Sequence, residues 1–278
     1  MKTIQRTFLA IVLAAATAAF GADGIAFITN IRGEISVDGN VRPALLSELT
    51  RGQKIVVGRE SQAAVMYITS GKEYILRGPA DYIVKDNEIV GSAAMPPVTR
   101  DTAWRTTNQV LAQVGQTSAA SVRMRSIGKP KVAEPVLIYP TQGAIATLQP
   151  TFRWNADNAK TQGELMLLAV GQEKPVHKAK ASGGAYKLPA KLLAPDTEYV
   201  WTLTVAGSEV GTGKFRTLAP EALTRLESRR PGEKADFSDR LLFTLMLQEM
   251  GAVQEARESW SRLAQERSDL PELAAFAK

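Results

Sequence analysis

The chain of 278 residues contains no cysteine and a single histidine. The first absence excludes disulfides, a thiol nucleophile, a thiolate metal site and the lipidated cysteine of a lipoprotein. The second leaves His177 as the one imidazole. A lone histidine without clustered carboxylates is a poor metal ligand, and a Ser-His-Asp triad would have to use it. No Gly-x-Ser-x-Gly elbow is present to raise a serine. Aromatic residues make up only 6% of the chain, and no stripe interleaves them with basic residues, so the pattern of single-stranded nucleic-acid binders is missing. After Phe20 no stretch approaches the ~20 apolar residues that a membrane-crossing helix needs.

What is present begins with Lys2 and Arg6, an apolar run from Phe8 to Phe20, and small residues at Gly21 and Ala22. A charged head, a short apolar segment and a small-residue exit are the order of a secretory signal peptide. Residues 1–22 are therefore expected to direct export, with cleavage after Gly21 or after Ala22; an uncleaved anchor is the alternative. The remainder is expected in the periplasm or outside the cell, without stable membrane insertion after cleavage. The formal net charge is +6. It is spread along the chain, with a basic stretch that includes Arg105, Arg123, Arg125 and Lys129 against Asp101. Such an excess favours solubility and attraction to an anionic envelope surface, with a specific polyanion site as the sharper alternative.

Residues 23–98 read as an all-β domain. Ile31, Gly33, Ile35 and Val37 alternate with polar residues and end at Asp38-Gly39, a tight-turn dipeptide. Short apolar runs follow at residues 55–57, 65–68, 74–76, 82–84 and 89–90, and Ser70-Gly71, Gly78-Pro79 and Asp86-Asn87 separate them. The order Gly33-Glu34-Ile35 to Asp38-Gly39, then Leu49-Thr50-Arg51-Gly52, then Gly58-Arg59-Glu60-Ser61-Gln62-Ala63, then Ser70-Gly71 resembles a FecR-type domain over about 60 residues. The resemblance implies stacked short strands in a periplasmic domain that contacts other proteins. Gly39, Gly52, Gly58 and Gly71 are expected to be structural, permitting positive φ at turns. With so few residues ahead of the apolar run, the cytoplasmic sigma-factor-binding segment of the iron-transport regulators, and direct anti-sigma activity with it, is not expected.

Residues 99–134 read as a connecting helix and linker. Asp101 or Thr102 could cap the helix, Trp104, Leu111 and Val114 form its stripe, and Gly128-Lys129-Pro130 ends it. Residues 135–218 read as a second β domain of about seven strands. Pro150 to Trp154, Leu193 to Trp201 and Phe215-Arg216-Thr217 resemble a fibronectin type III or immunoglobulin-like module. That resemblance implies a β-sandwich with Trp154, Tyr199 and Trp201 in its core; a sugar-stacking platform is the alternative for these rings. Gly211-Thr212-Gly213 reads as a hairpin turn, since it lacks the further glycine and the helix of a nucleotide loop.

Residues 219–278 read as helical. Phe237, Leu241, Leu242 and Leu245 form one stripe, which Gly251 ends. Val253, Ala256, Trp260, Leu263 and Ala264 form a second, and Pro271-Glu272 opens a short last helix. The pair resembles a tetratricopeptide-type hairpin. One such hairpin cannot bury both faces by itself. It is expected to pack on the sandwich, or to offer an open face, in which case Trp260, Leu241 and Leu245 are the candidate partner-binding residues. Glu255 and Glu258 read as a solvated face with ordinary surface pairing, Glu258 to Arg262.

The fold class expected is thus multidomain and mainly β: a FecR-like stacked short-strand domain, an immunoglobulin- or fibronectin-like sandwich and a C-terminal α-hairpin. No catalytic constellation, cofactor site or metal site emerges. The expected function is non-catalytic binding or scaffolding of an envelope protein. A membrane sensor served by an accessory of this type and peptidoglycan are the alternative partners, and nucleic acid is not expected.

Overall fold

The computed structural model describes residues 24–102, 137–155 and 162–277. Gly21, Ala22 and the rest of the expected signal peptide lie outside the described residues, as does nearly all of the expected connecting helix. Asp101 and Thr102, the expected caps, are not helical; the Thr102 hydroxyl donates to the Gly71 carbonyl at 2.9 Å.

The architecture is mainly β. The first unit has β1 (Ala26–Arg32), β2 (Ile35–Val37), β3 (Asn40–Val41), β4 (Glu48–Leu49), β5 (Lys54–Val57), β6 (Gln62–Tyr67), β7 (Glu73–Arg77), β8 (Ala80–Val84), β9 (Ile89–Gly91) and β10 (Val98–Arg100). They form two antiparallel sheets, ordered β10-β7-β6-β1-β4 and β3-β2-β5-β8-β9. Strand β10 crosses the boundary expected between residues 98 and 99 and pairs with β7.

The alternation from Ile31 to Val37 is not one strand. Gly33 sits at φ +77°, and a Cβ there would stand 2.4 Å from the Ser61 hydroxyl. At this corner the chain leaves the first sheet and enters the second. The Asp38-Gly39 turn does join β2 to β3, with both residues at positive φ. Gly39, Gly52 and Gly71 have positive φ, as expected, but Gly58 does not: its Cα lies against Glu34, where a Cβ would approach the Glu34 Cβ to 3.0 Å.

The two sheets stack on apolar side chains such as Ile28, Val65, Ile55, Val57, Leu76 and Tyr82, all buried. Tyr67 spans the stack, its hydroxyl donating toward the Lys85 and Glu88 carbonyls beside the turn of β8 and β9. Strands β1 and β6 are buried on both faces. Something must therefore cover the outer face of their sheet, and it is the C-terminal helices.

Those helices are α1 (Pro220–Arg229), α2 (Phe237–Glu249), α3 (Val253–Glu266) and α4 (Leu273–Phe276). Residues Leu241 to Leu247 are buried without interruption, so the middle of α2 is covered around most of its circumference, with Thr244 the one polar side chain in the run. The helices and both sheets of the first unit share one hydrophobic core. The hairpin meets the sandwich, as expected, but through the polar side of α3; its apolar face covers the first unit instead.

The second unit contains β11 (Leu137–Tyr139), β12 (Ala144–Ile145), β13 (Thr151–Trp154), β14 (Gly163–Ala169), β15 (His177–Ala181), β16 (Ala185–Lys187), β17 (Glu198–Val205) and β18 (Ser208–Thr217). Sheets β11-β13-β16 and β12-β18-β17-β14-β15 face each other across a separate core. Trp154, Tyr199 and Trp201 are in it. Phe152 meets Trp201 edge to face at 4.8 Å, and the Trp201 indole donates to the Pro140 carbonyl at 2.6 Å. Gly211-Thr212-Gly213 is not a turn. It lies within β18, where a Cβ on Gly211 would press Leu137 at 2.8 Å and one on Gly213 would press the Trp201 ring at 2.5 Å. The turn is Ala206-Gly207, both at positive φ.

Candidate functional site

The helices touch both β units, and the polar side chains of the molecule converge at the two junctions. At the first, Glu73 is fully buried and lies under Arg100, whose guanidinium contacts it at 2.5 Å. Arg100 also reaches Asp236 at 2.7 Å and Asp239 at 2.8 Å at the start of α2. Thr29 donates to Glu73 at 2.7 Å, and Ser238 donates to Thr29 at 3.3 Å. Burial disfavours the charge on Arg100, but Asp239 and Glu73 outweigh it and hold the guanidinium above its ordinary pKa. The second clamp is Arg267, 5% exposed, which bonds Asn30, the Ile31 carbonyl and Asp269 and stacks over Phe237.

At the second junction, α3 meets β11, β12 and β13. Gln254 accepts from the Thr141 amide at 2.7 Å and donates to the Ile138 carbonyl at 3.0 Å. Glu255 accepts from the Tyr139 hydroxyl at 2.7 Å and from the Ala146 amide at 2.9 Å through the same oxygen. Its other oxygen is buried without a partner. Burial raises the Glu255 pKa, and burial next to Glu255 raises that of Tyr139. Arg153 pairs with Glu258 and lies over the Tyr139 ring. The expected solvated face of Glu255 and Glu258 is thus an internal joint; only the Glu258–Arg262 contact, at 3.7 Å, remains of the surface pairing.

A groove enclosing ≈ 400 Å³ runs along the hairpin beside this joint, with Phe243, Leu247 and Leu263 as its apolar floor. Its arginines are engaged: Arg240 with Glu266 at 2.5 Å, Arg230 with Glu227 at 2.8 Å and with the Phe243 face.

The three expected partner-binding residues do not form an open face. Leu241 is 0%, Leu245 6% and Trp260 1% exposed. Trp260 stacks on Phe276 at 4.7 Å and donates to Gln248 at 2.8 Å. They are core residues because α4 and the first unit cover the faces that an isolated hairpin would expose. His177 opens β15, and its Nε2 lies 2.7 Å from the Tyr186 hydroxyl. Among the described residues no three His, Asp or Glu side chains gather as metal ligands, and no helix is long and apolar enough to cross a membrane.

No family model, curated protein or solved structure matches the chain.

Proposed function

We propose that this chain is a non-catalytic, exported binding or scaffold protein of the cell envelope. The observation that carries the reading is the use of the helices inside the molecule. The hairpin's apolar side completes the core of the first unit and its polar side holds the rim of the second. It therefore works as a bracket between two β units, whose faces and edges are left to meet other molecules. Two stacked sheets of short strands agree with a FecR-type first unit. Buried Trp154, Tyr199 and Trp201 agree with a fibronectin- or immunoglobulin-like second unit, rather than with rings placed for sugar stacking. The FecR-type resemblance makes a membrane sensor one natural partner; peptidoglycan is the other class to test.

Half-exposed Val56 and Val90 mark the outer face of sheet β3-β2-β5-β8-β9. Photo-crosslinking residues placed there, and at Lys178 on the second unit, should capture an envelope protein in cells and label the chain in the exported fraction. Full-length chain confined to the cytosol, or no captured protein from any of the three positions, would overturn the reading. Co-sedimentation with purified sacculi tests the glycan version separately.

A further inference from the structure

The edge of the second unit formed by β15 carries a feature that the bracket does not use. Residues 174–195 contain five lysines and no aspartate or glutamate. Lys174, Lys178, Lys180, Lys187 and Lys191 are all exposed, and none makes an ion pair among the described residues. Glu164 lies opposite Lys180 on the neighbouring strand without closing a salt bridge.

The backbone of this edge is open. Strand β15 pairs with β14 on one side and with no strand on the other among the described residues. At five residues it is the longest edge strand among them. The Val170 amide bonds the Glu198 carbonyl at 2.9 Å. Even-numbered residues of β14 therefore bond β17, and its odd-numbered residues bond β15. By the register Leu165↔Ala179, the backbone groups of Ala179 are taken, while those of Lys178 and Lys180 point to the free edge. His177 holds the edge in place: its ring stacks on Tyr186 of β16 at 5.7 Å, tying the two sheets together where β15 begins.

Lysines on an edge strand keep it from pairing with a like strand. A second copy of β15 would set lysine against lysine. The same charges admit a strand that neutralises them. We infer that β15 is a strand-addition site for an extended acidic segment of a partner protein. Its alternate acidic side chains would lie beside Lys178 and Lys180, its intervening apolar ones would turn toward Ala179 and Tyr186, and its backbone would complete the ladder. This rests on the scaffold reading and names the kind of partner.

Fluorescence anisotropy on the purified chain tests it with a short labelled peptide alternating Glu and Val. Binding is expected at moderate salt. Methylating the amides along one edge of the peptide should weaken it by at least about tenfold, because the ladder is lost while the charge is kept. Lys178→Glu with Lys180→Glu should weaken it similarly and transfer binding to a second labelled peptide in which Lys replaces each Glu, whereas Lys178→Arg with Lys180→Arg should retain it. Equal binding of the methylated and unmethylated peptides would overturn the assignment, as would binding of polyphosphate alone, which would mark a polyanion surface instead. Failure of every peptide to bind the unaltered chain overturns it irrespective of how the variants fold. Capture of an envelope protein from Val56 or Val90 alongside failure of every peptide would overturn only this site; capture from none of the three crosslinking positions would overturn the scaffold reading beneath it.

Discussion

The helices join the first β unit and the second by different physics. Toward the first they present Leu241, Leu242 and Met246, all fully buried, with two arginines clamped by carboxylates and carbonyls inside the contact. Toward the second the contact is mainly polar: Gln254, Glu255 and Glu258 bond rim amides, a hydroxyl and Arg153, with the small side chains of Ala144 and Ala146 joining the helices' apolar core. Burial of apolar area is non-directional and merges whatever it joins into one core. A hydrogen-bonded rim orients its partners and adds only modest net stability, about 1 kcal/mol per bond. The first unit and helices should therefore unfold together, and the sandwich should unfold by itself.

The largest effects break one core and spare the other. Trp201→Ala should cost about 3–5 kcal/mol. Hydrogen exchange should show protection lost in β17 and kept in β6. Leu241→Ala, at about 2–5 kcal/mol, should do the reverse. Simultaneous loss in both units from either variant would abolish the distinction.

Next comes the buried charge. Arg100→Met leaves buried Glu73 with the Thr29 hydroxyl but without its cation and should cost about 3–5 kcal/mol. Arg100→Met with Glu73→Leu should recover most of that in thermal unfolding. If the single variant were neutral, the clamp would contribute nothing to the first junction.

The two junctions should also respond to pH with opposite sign. Burial raises the pKa of Glu255, so the folded state holds its proton more tightly than the unfolded chain does. Stability from this group is therefore full below the ordinary carboxylate range and falls as pH rises through the folded pKa. Glu255→Gln should remove that slope, and its advantage in melting temperature should widen from acid toward neutral pH. Asp269 is held low by its bond to Arg267, so its small contribution is present at neutral pH and is lost in acid. A Glu255→Gln protein with an unchanged slope would place the titration elsewhere.

The smaller effects sharpen the rim. Gln254→Ala should cost roughly 1–2 kcal/mol and raise exchange at the Thr141 and Gln142 amides, to which it bonds. Arg262→Ala, at an exposed pair, should change stability by less than about 0.5 kcal/mol.

Much of the fold was legible because turns and periods are local. Asp38-Gly39 announced its hairpin, and the stripes of α2 and α3 announced their helices. The reading failed where a local pattern has two meanings. Ile31 to Val37 keeps period two across Gly33, yet the positive φ of that glycine turns the chain into another sheet. Gly211 and Gly213 suggest a turn, but they are small because Leu137 and Trp201 pack against them. Of the second junction, nothing marked Glu255. A polar helix face looks the same whether it meets water or the polar rim of a neighbouring unit.

Composition and spacing alone determined that this chain lacks thiol chemistry, that its strands are short, and that its last sixty or so residues form helices with apolar stripes. An apolar stripe states that a surface must leave water. It does not state which surface will cover it, since the driving force has no address. Only the tertiary structure decided that Leu241, Leu245 and Trp260 close the first unit's core, and that the charged back of the same hairpin holds the second.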